Sequence, residues 1–399
     1  MLLNRERALE FMDKHDLDAL VACTPENVYY LSDYGVSHSF IFALYGVSAA
    51  VFPRDESVPA TLFVSEVDVP YLEEHPTWMP EVRMIESFGA YVPPGVDLTE
   101  RERRVSELWS AMRAKGSLSP NRQEVMAGVL RELGLADARL GFDDVRAMLE
   151  LQSAGIARST GADAFNIFRE IRLVKTPREI ELLREAARIN EECLQETAQL
   201  LTEGTVIGDL ARRWKSSMAL RAAAGLEFYA GGFDRPWIFG SDSYRLRDGD
   251  HVLLDGSGTY EHYWCDMGRT GCVGAPSGRV EELYGVLADC YEQCIPLLQP
   301  GSSTVTIKKA ASEAVRSHMS DGFTPLLHPL GIELYDNPQP LGEIEREEFV
   351  LEAGMVVNLE TALYVEFPWG VLQLEDSFLV RDDGPESLVS LPRDLMSPR

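Results

Sequence analysis

The stretch HVLLDGSGTYEHYWCDMGRT, residues 251–270, places two aspartates, Asp255 and Asp266, inside segments that otherwise read as buried strands. Short apolar runs bounded by glycine are the pattern of core β-strands, and the residues between the two acids suffice to turn and return. The same oddity recurs further on, with Glu360 in MVVNLETALY (355–364) and Glu375 in VLQLEDSFLV (371–380). A bare carboxylate is costly to bury, so four of them in core strands call for a common cation or for a set of arginine partners. Arg269 can serve one of the four, and no other nearby basic residue obviously serves the rest. Antiparallel pairing within each couple of strands sets the acids face to face. His328, in PLLHPLGIEL (325–334), supplies a fifth donor, and four carboxylates with one imidazole complete two adjoining coordination spheres. So oxygen-rich a set favours two divalent ions of Mn, Fe or Co, with Zn or Mg as alternatives, over a structural thiolate zinc site.

Outward from these strands, helical and strand patterns alternate. RERALEFMDKHD (5–16) has helical spacing, DALVACT (18–24) and TLFVSEVD (61–68) read as strands, and helices are predicted around 101–114 and 121–134. Residues 1–160 are therefore read as an α/β domain and residues 161–399 as a second one, a division that suits a chain of 399 residues. Thr176 and Glu179 have the spacing of a capping box, and Pro177 fits the first helical position, so a long amphipathic helix starts there. Two successive units of helices followed by paired strands complete the chain.

Composition excludes several function classes. Lys+Arg total 37 against 64 Asp+Glu, and the net charge of −27 repels a phosphate backbone, so nucleic acid is not a partner. Between Asp33 and Arg54 no charged side chain occurs, but polar residues and glycine break the interval into IFALY and SAAVF, each the length of a strand, so no membrane span is expected. The six cysteines lack the density of a disulfide framework and the N-terminal residues lack a signal-peptide pattern. A reducing cytoplasm is the expected location.

These residues resemble the pita-bread metallopeptidase and creatinase superfamily, which includes prolidase, aminopeptidase P and methionine aminopeptidase. PENVYYL (25–31) is similar to its N-terminal domain and REIRLVKTPREIELLREAA (169–187) to the entrance of its catalytic domain. DGSGTYEHYWCDMGRT, HPLGIELYDNP, GMVVNLETALY and LQLEDSFLV fill its five metal positions in order. The resemblance implies a creatinase-like N-terminal α/β domain, a C-terminal pita-bread domain and a homodimer. It also implies that Asp266 and Glu375 bridge two ions, with His328 and Glu360 completing one sphere and Asp255 the other. Two ions that acidify a shared water imply a hydrolase with a small-molecule substrate.

Three positions depart from the family's peptidases. Arg235-Pro236-Trp237 stands where they have Pro-His, Tyr335 replaces a second histidine, and Gln373 stands where aminopeptidase P-like members have arginine. The replaced groups position a substrate carbonyl or shuttle protons. The expectation is therefore a hydrolase of an amide or amidine C–N bond in a small non-peptide or modified amino-acid substrate, similar to ectoine hydrolase. Trp237, Tyr335 and Trp369 offer either an aromatic wall for a cationic or heterocyclic ligand or ordinary core packing. Gln373 and His38 join them as substrate-binding candidates, His38 because in the creatinase branch that segment can reach the partner subunit's site. Tyr335 and Asp336 are the catalytic candidates, Asp336 as a general base or as support for a ligand. The alternatives are an Xaa-Pro dipeptidase, a lyase resembling the dimethylsulfoniopropionate-cleaving members, and a catalytically inactive binding protein.

Overall fold

The computed structural model describes residues 1–35, 48–87, 92–93, 95–116, 119–230, 243–318, 323–338, 348–366 and 370–398. The chain divides into two compact units, Met1–Arg172 and Leu173–Arg399.

In the first unit, strands β1 (Ala19–Ala22), β2 (Ala49–Pro53), β3 (Thr61–Ser65), β4 (Glu81–Ile85), β5 (Leu140–Phe142) and β6 (Ala162–Asp163) form one mixed sheet in the order β4-β3-β2-β1-β5-β6. β1, β2 and β3 are buried at every position, so they read as short continuous apolar runs rather than alternating ones. Helices flank them, among them Arg5–Lys14, Glu100–Arg113 with its Thr99 capping box, and Arg122–Glu132. Buried Asp143, just past β5, accepts the backbone N–H groups of Cys23 and Thr24 at 2.7 and 3.0 Å and ties the ends of β5 and β1 together. SAAVF thus lies within and just before β2, whereas IFALY lies outside the described residues. Among the described residues no helix is long and apolar enough to cross a membrane.

The second unit opens with the helix Pro177–Ala198, whose first turn is closed reciprocally by Thr176 and Glu179 with Pro177 at the first position. With the helix Ile207–Leu220 it covers an antiparallel sheet of β7 (Ala224–Tyr229), β8 (His251–Tyr260) and β9 (Tyr263–Cys272). The helices Gly278–Cys294 and Thr304–Val315 precede a second antiparallel sheet: β10 (Phe323–Pro329), β11 (Val356–Glu366), β12 (Gly370–Leu372), β13 (Asp376–Leu379) and β14 (Glu386–Ser387). Cys290 and Cys294 are core residues of this half, and all six cysteines are reduced and buried.

Fully buried Trp214 is the keystone of the first sheet. Its Nε1 donates to Asn190 Oδ1 at 2.9 Å, and Asn190 Nδ2 donates to the carbonyl of Gly256 at 2.7 Å, one residue beyond Asp255. The indole lies so close to β8 that a Cβ on Gly256 would sit 2.7 Å from it. Gly256→Ala is expected to cost about 1–3 kcal/mol through overpacking, read as a lower urea midpoint at unchanged m-value.

Candidate metal centre

Register brings the acids together. Asp255 pairs with Gly268 and Ser257 with Asp266 across β8 and β9, so all four share one face of that sheet. On the other sheet His328 pairs with Asn358 and Leu326 with Glu360 across β10 and β11, while Asn358 pairs with Ser377 of β13, two residues beyond Glu375. The two sheets meet where Gly268 and Glu375 exchange backbone hydrogen bonds of 3.3 and 3.1 Å. Thr270 Oγ1 reinforces the seam, accepting from the Gln373 amide at 2.9 Å and donating to its carbonyl at 3.2 Å.

Two sets of potential ligand atoms result, Asp266 with His328 and Glu375, and Asp255 with Glu360 and Glu375, each within 4.8 Å of one another. Glu375 belongs to both, and Glu360 falls with Asp255 rather than with His328, unlike the division that the resemblance implied. All five residues are buried, none more than 9% exposed. His328 Nε2 lies 3.7 Å from Asp266 Oδ2, while Nδ1 faces the Pro329 carbonyl at 3.3 Å, which assigns the ring proton to Nδ1 and leaves the Nε2 lone pair toward the acids. Burial pushes the His328 imidazole down to about 4, so the ring is neutral near pH 7. Burial also pushes Asp255 up to about 7 and lifts Asp266 and Glu375 well above the carboxylate range, with Glu227 adding to the shift of Asp255, Asp255 to that of Asp266, and Asp266, Glu360 and Asp255 to that of Glu375.

Arginine pairing does not relieve them. Arg269 is fully buried, but its guanidinium pairs with Asp376 at 2.6 Å and donates to the backbone carbonyl of Glu375 rather than to a site carboxylate. Among the described residues, Asp255, Asp266 and Glu375 have no lysine or arginine partner, and Asp255 Oδ1 is buried with no hydrogen-bond partner at all. An orphaned carboxylate oxygen in a cluster of mutually repelling acids, with one neutral imidazole, fits divalent cations.

Other predicted residues fall in different places. Gln373, expected at the substrate, is fully buried in the floor of the cluster, where Nε2 donates to Glu360 Oε1 at 2.8 Å, Glu375 Oε2 at 2.9 Å and Asp255 Oδ2 at 3.3 Å. Tyr335 packs on His328 with ring centroids 4.3 Å apart and the planes tilted by 30°. Asp336 is fully buried against Lys175, Oδ2 to Nζ 2.8 Å. His38, Trp237 and Trp369 lie outside the described residues. The sequence reading missed Ser257, whose Oγ donates to Asp266 Oδ1 at 2.8 Å, and Asn358, whose amide donates to Glu375 Oε1. It also missed Tyr229, paired with Asp255 across β7 and β8. Ser257 and Asn358 were within reach of sequence logic, since each lies two residues from a predicted ligand and so on the same strand face.

Comparison with known proteins agrees with this architecture. The model of metallopeptidase family M24 matches residues 181–382, and that of the creatinase/prolidase N-terminal domain matches residues 4–174. The chain is 23% identical over 397 residues to the Xaa-Pro dipeptidase of Pyrococcus horikoshii, covering 98% of both, and 23% identical to that of Pyrococcus furiosus. Among solved structures it is similar to the Pyrococcus horikoshii prolidase (TM-score 0.71, 21% identity, 98% of this chain and 99% of that one). It is also similar to an Xaa-Pro dipeptidase from Bacillus anthracis (TM-score 0.74, 18% identity, 98% of both). These likenesses overturn the expectation of an ectoine hydrolase-like enzyme for a non-peptide substrate and favour the Xaa-Pro dipeptidase alternative. That expectation gave the replacements at Trp237, Tyr335 and Gln373 more weight than similarity along nearly the whole chain. The chain belongs to metallopeptidase family M24, joined to a creatinase/prolidase N-terminal domain, and is a metal-dependent hydrolase of the creatinase/prolidase type.

Proposed function

We propose that this protein is a dinuclear dipeptidase that cleaves Xaa-Pro dipeptides. The observation that carries the reading is a buried cluster in which Glu375 is common to two ligand sets. The substrate class follows the relatives that match from end to end. In this reading Asp266, His328 and Glu375 would hold one ion and Asp255, Glu360 and Glu375 the other. The donor chemistry suits Mn, Fe(II) or Co. When bound, two such ions supply Lewis acidity and lower the pKa of water.

The chain's own groups do the positioning. Ser257 holds one oxygen of Asp266, and Asn358, itself oriented by Ser377 at 3.0 Å, holds one oxygen of Glu375. Gln373 presents its amide to three carboxylates at once and offsets part of their repulsion without adding a charge. Tyr335 restrains the His328 ring by a tilted ring contact.

Assay of the protein loaded in turn with Mn, Co and Fe(II), using Leu-Pro, Met-Pro, Leu-Ala and a prolyl tripeptide, tests the proposal. Metal-dependent release of free proline, with Xaa-Pro dipeptides preferred over Leu-Ala by at least about tenfold in kcat/KM, or about 1.4 kcal/mol, is expected. Absence of turnover of either Xaa-Pro dipeptide with all three metals would overturn it.

A further inference from the structure

Backbone hydrogen bonds fasten the segment that follows His328. Its Leu330 amide donates to the Val356 carbonyl at 2.9 Å, its Gly331 carbonyl accepts from Trp264 N at 2.8 Å, and Asp336 N closes back onto the Pro329 carbonyl at 3.0 Å. His328 stands at the start of this loop and Tyr335 at its end, and their rings pack in a tilted contact. Immediately after Tyr335, the Asp336 carboxylate meets Lys175 Nζ at 2.8 Å, with both side chains wholly shielded from solvent. Gly331 leaves the room that the pair occupies, since a Cβ there would overlap Asp336 Oδ2 and lie 2.7 Å from Lys175 Nζ.

Lys175 is itself anchored. Its amide donates to the Gly354 carbonyl at 2.9 Å, and the neighbouring Val174 bridges to Met355, just ahead of β11. The next residue, Thr176, starts the capped helix, where buried Glu179 accepts from Thr176 N at 2.8 Å and from the Tyr263 hydroxyl at 3.1 Å. The ion pair therefore joins the helix entrance to the loop that bears His328 and Tyr335.

We propose that Lys175 and Asp336 are positioning residues: their buried ion pair fixes Tyr335 against His328 and so holds the imidazole in its ligating orientation. This role rests on the metal centre proposed for the same cluster. It gives Asp336 a task different from that of a general base, because its carboxylate is engaged by a buried cation rather than directed to a substrate. Buried ion pairs contribute little net stability compared with an apolar pair of similar volume, but a charge-assisted hydrogen bond is directional where an apolar contact is not. Ordering of a ligating histidine from behind is the kind of contribution whose loss lowers metal affinity by about 10–100-fold.

The test compares wild type, the apolar pair Lys175→Met/Asp336→Leu, and Tyr335→Ala, measuring Mn2+ affinity by titration calorimetry and thermal midpoint in parallel. The apolar pair is expected to melt within a few degrees of wild type yet bind its tighter Mn2+ about 10–100-fold more weakly. In the Tyr335→Ala background the same pair should change affinity by less than about twofold, because the clamp then has nothing to position. Wild-type affinity and wild-type melting in the apolar pair would reduce the ion pair to packing and overturn the proposal. Should that variant fail to fold, Lys175→Arg decides. Its planar fork does not reproduce a single Nζ contact beside Gly331, so severalfold weaker Mn2+ binding is expected, and unchanged binding overturns the proposal. These affinities need no turnover: a wild type that binds Mn2+ but leaves Xaa-Pro dipeptides intact refutes the proposed substrate, while the clamp still stands or falls on the same Mn2+ titrations.

Discussion

Glu375→Ala is expected to release both metal ions and to lower kcat/KM by on the order of 10³-fold or more, about 4 kcal/mol of transition-state stabilisation. The expectation rests on its membership of both ligand sets, which no other described residue shares. Each of its oxygens is already aimed, one by Asn358 and the other by Gln373, and its backbone is fastened to Gly268 across the seam between the sheets. Asp255→Ala removes a member of one set only. Elemental analysis should therefore fall from about two equivalents to less than half an equivalent for Glu375→Ala and to about one for Asp255→Ala. Retention of two equivalents by Glu375→Ala, together with turnover, would remove the basis of the site. The same substitution has the opposite sign in the metal-free protein. Burial and its acidic neighbours push the Glu375 carboxyl far up, so folding must retain a proton that the unfolded chain releases; removing the group ends that cost, and metal-free Glu375→Ala should melt above metal-free wild type at pH 7.5.

The metal-free protein should lose stability as pH rises from 5 to 7.5, contrary to the usual behaviour of carboxylates paired with cations. Asp255 and Glu179 are each pushed up to about 7, and Asp266 and Glu375 are lifted well above the carboxylate range, with burial the leading cause in every case. Unfolded carboxyls release their protons near pH 4, so between about 4 and 7 the folded chain holds more protons than the unfolded one, and its stability declines with pH. His328 opposes this over pH 4 to 6.5, because its folded pKa is depressed to about 4, and buried His251 is lowered in the same sense, but the raised acids, Asp143 among them, outnumber these two imidazoles. At roughly 2–4 °C per kcal/mol for a domain of this size, a fall of about 10 °C is expected in chelator-treated protein. Excess Mn2+ should restore the midpoint far more at pH 7.5 than at pH 5, since the ions bind the ionised acids. A flat or rising midpoint in the chelated protein would show that these carboxylates are compensated from within the chain.

Both expectations begin from a feature legible in the bare sequence. Asp255, Asp266, Glu360 and Glu375 are conspicuous because each interrupts a strand-length apolar run, and the cost of burying an acid makes that interruption informative without any structure. The capped start at Thr176, Pro177 and Glu179 was equally legible, because a capping box is complete within four residues. Trp237, Trp369 and His38 gained no structural support, as they lie outside the described residues, and the substrate class was misread from three positions.

What the sequence by itself determined was therefore local: which strands carry acids, where helices begin, and that four carboxylates and a histidine recur in an order that needs a cation. Tertiary structure alone decided who compensates whom. Lys175 reaches Asp336 across 161 residues, Arg269 reaches Asp376 across 107, and Gln373 gathers Asp255, Glu360 and Glu375 from two sheets. A carboxylate's neighbour in space depends on sheet register and on the seam at Gly268 and Glu375, which no spacing along the chain encodes. Thus an arginine that looked available to a site acid pairs elsewhere, and Asp336, read as either a base or support for a ligand, is held by a lysine.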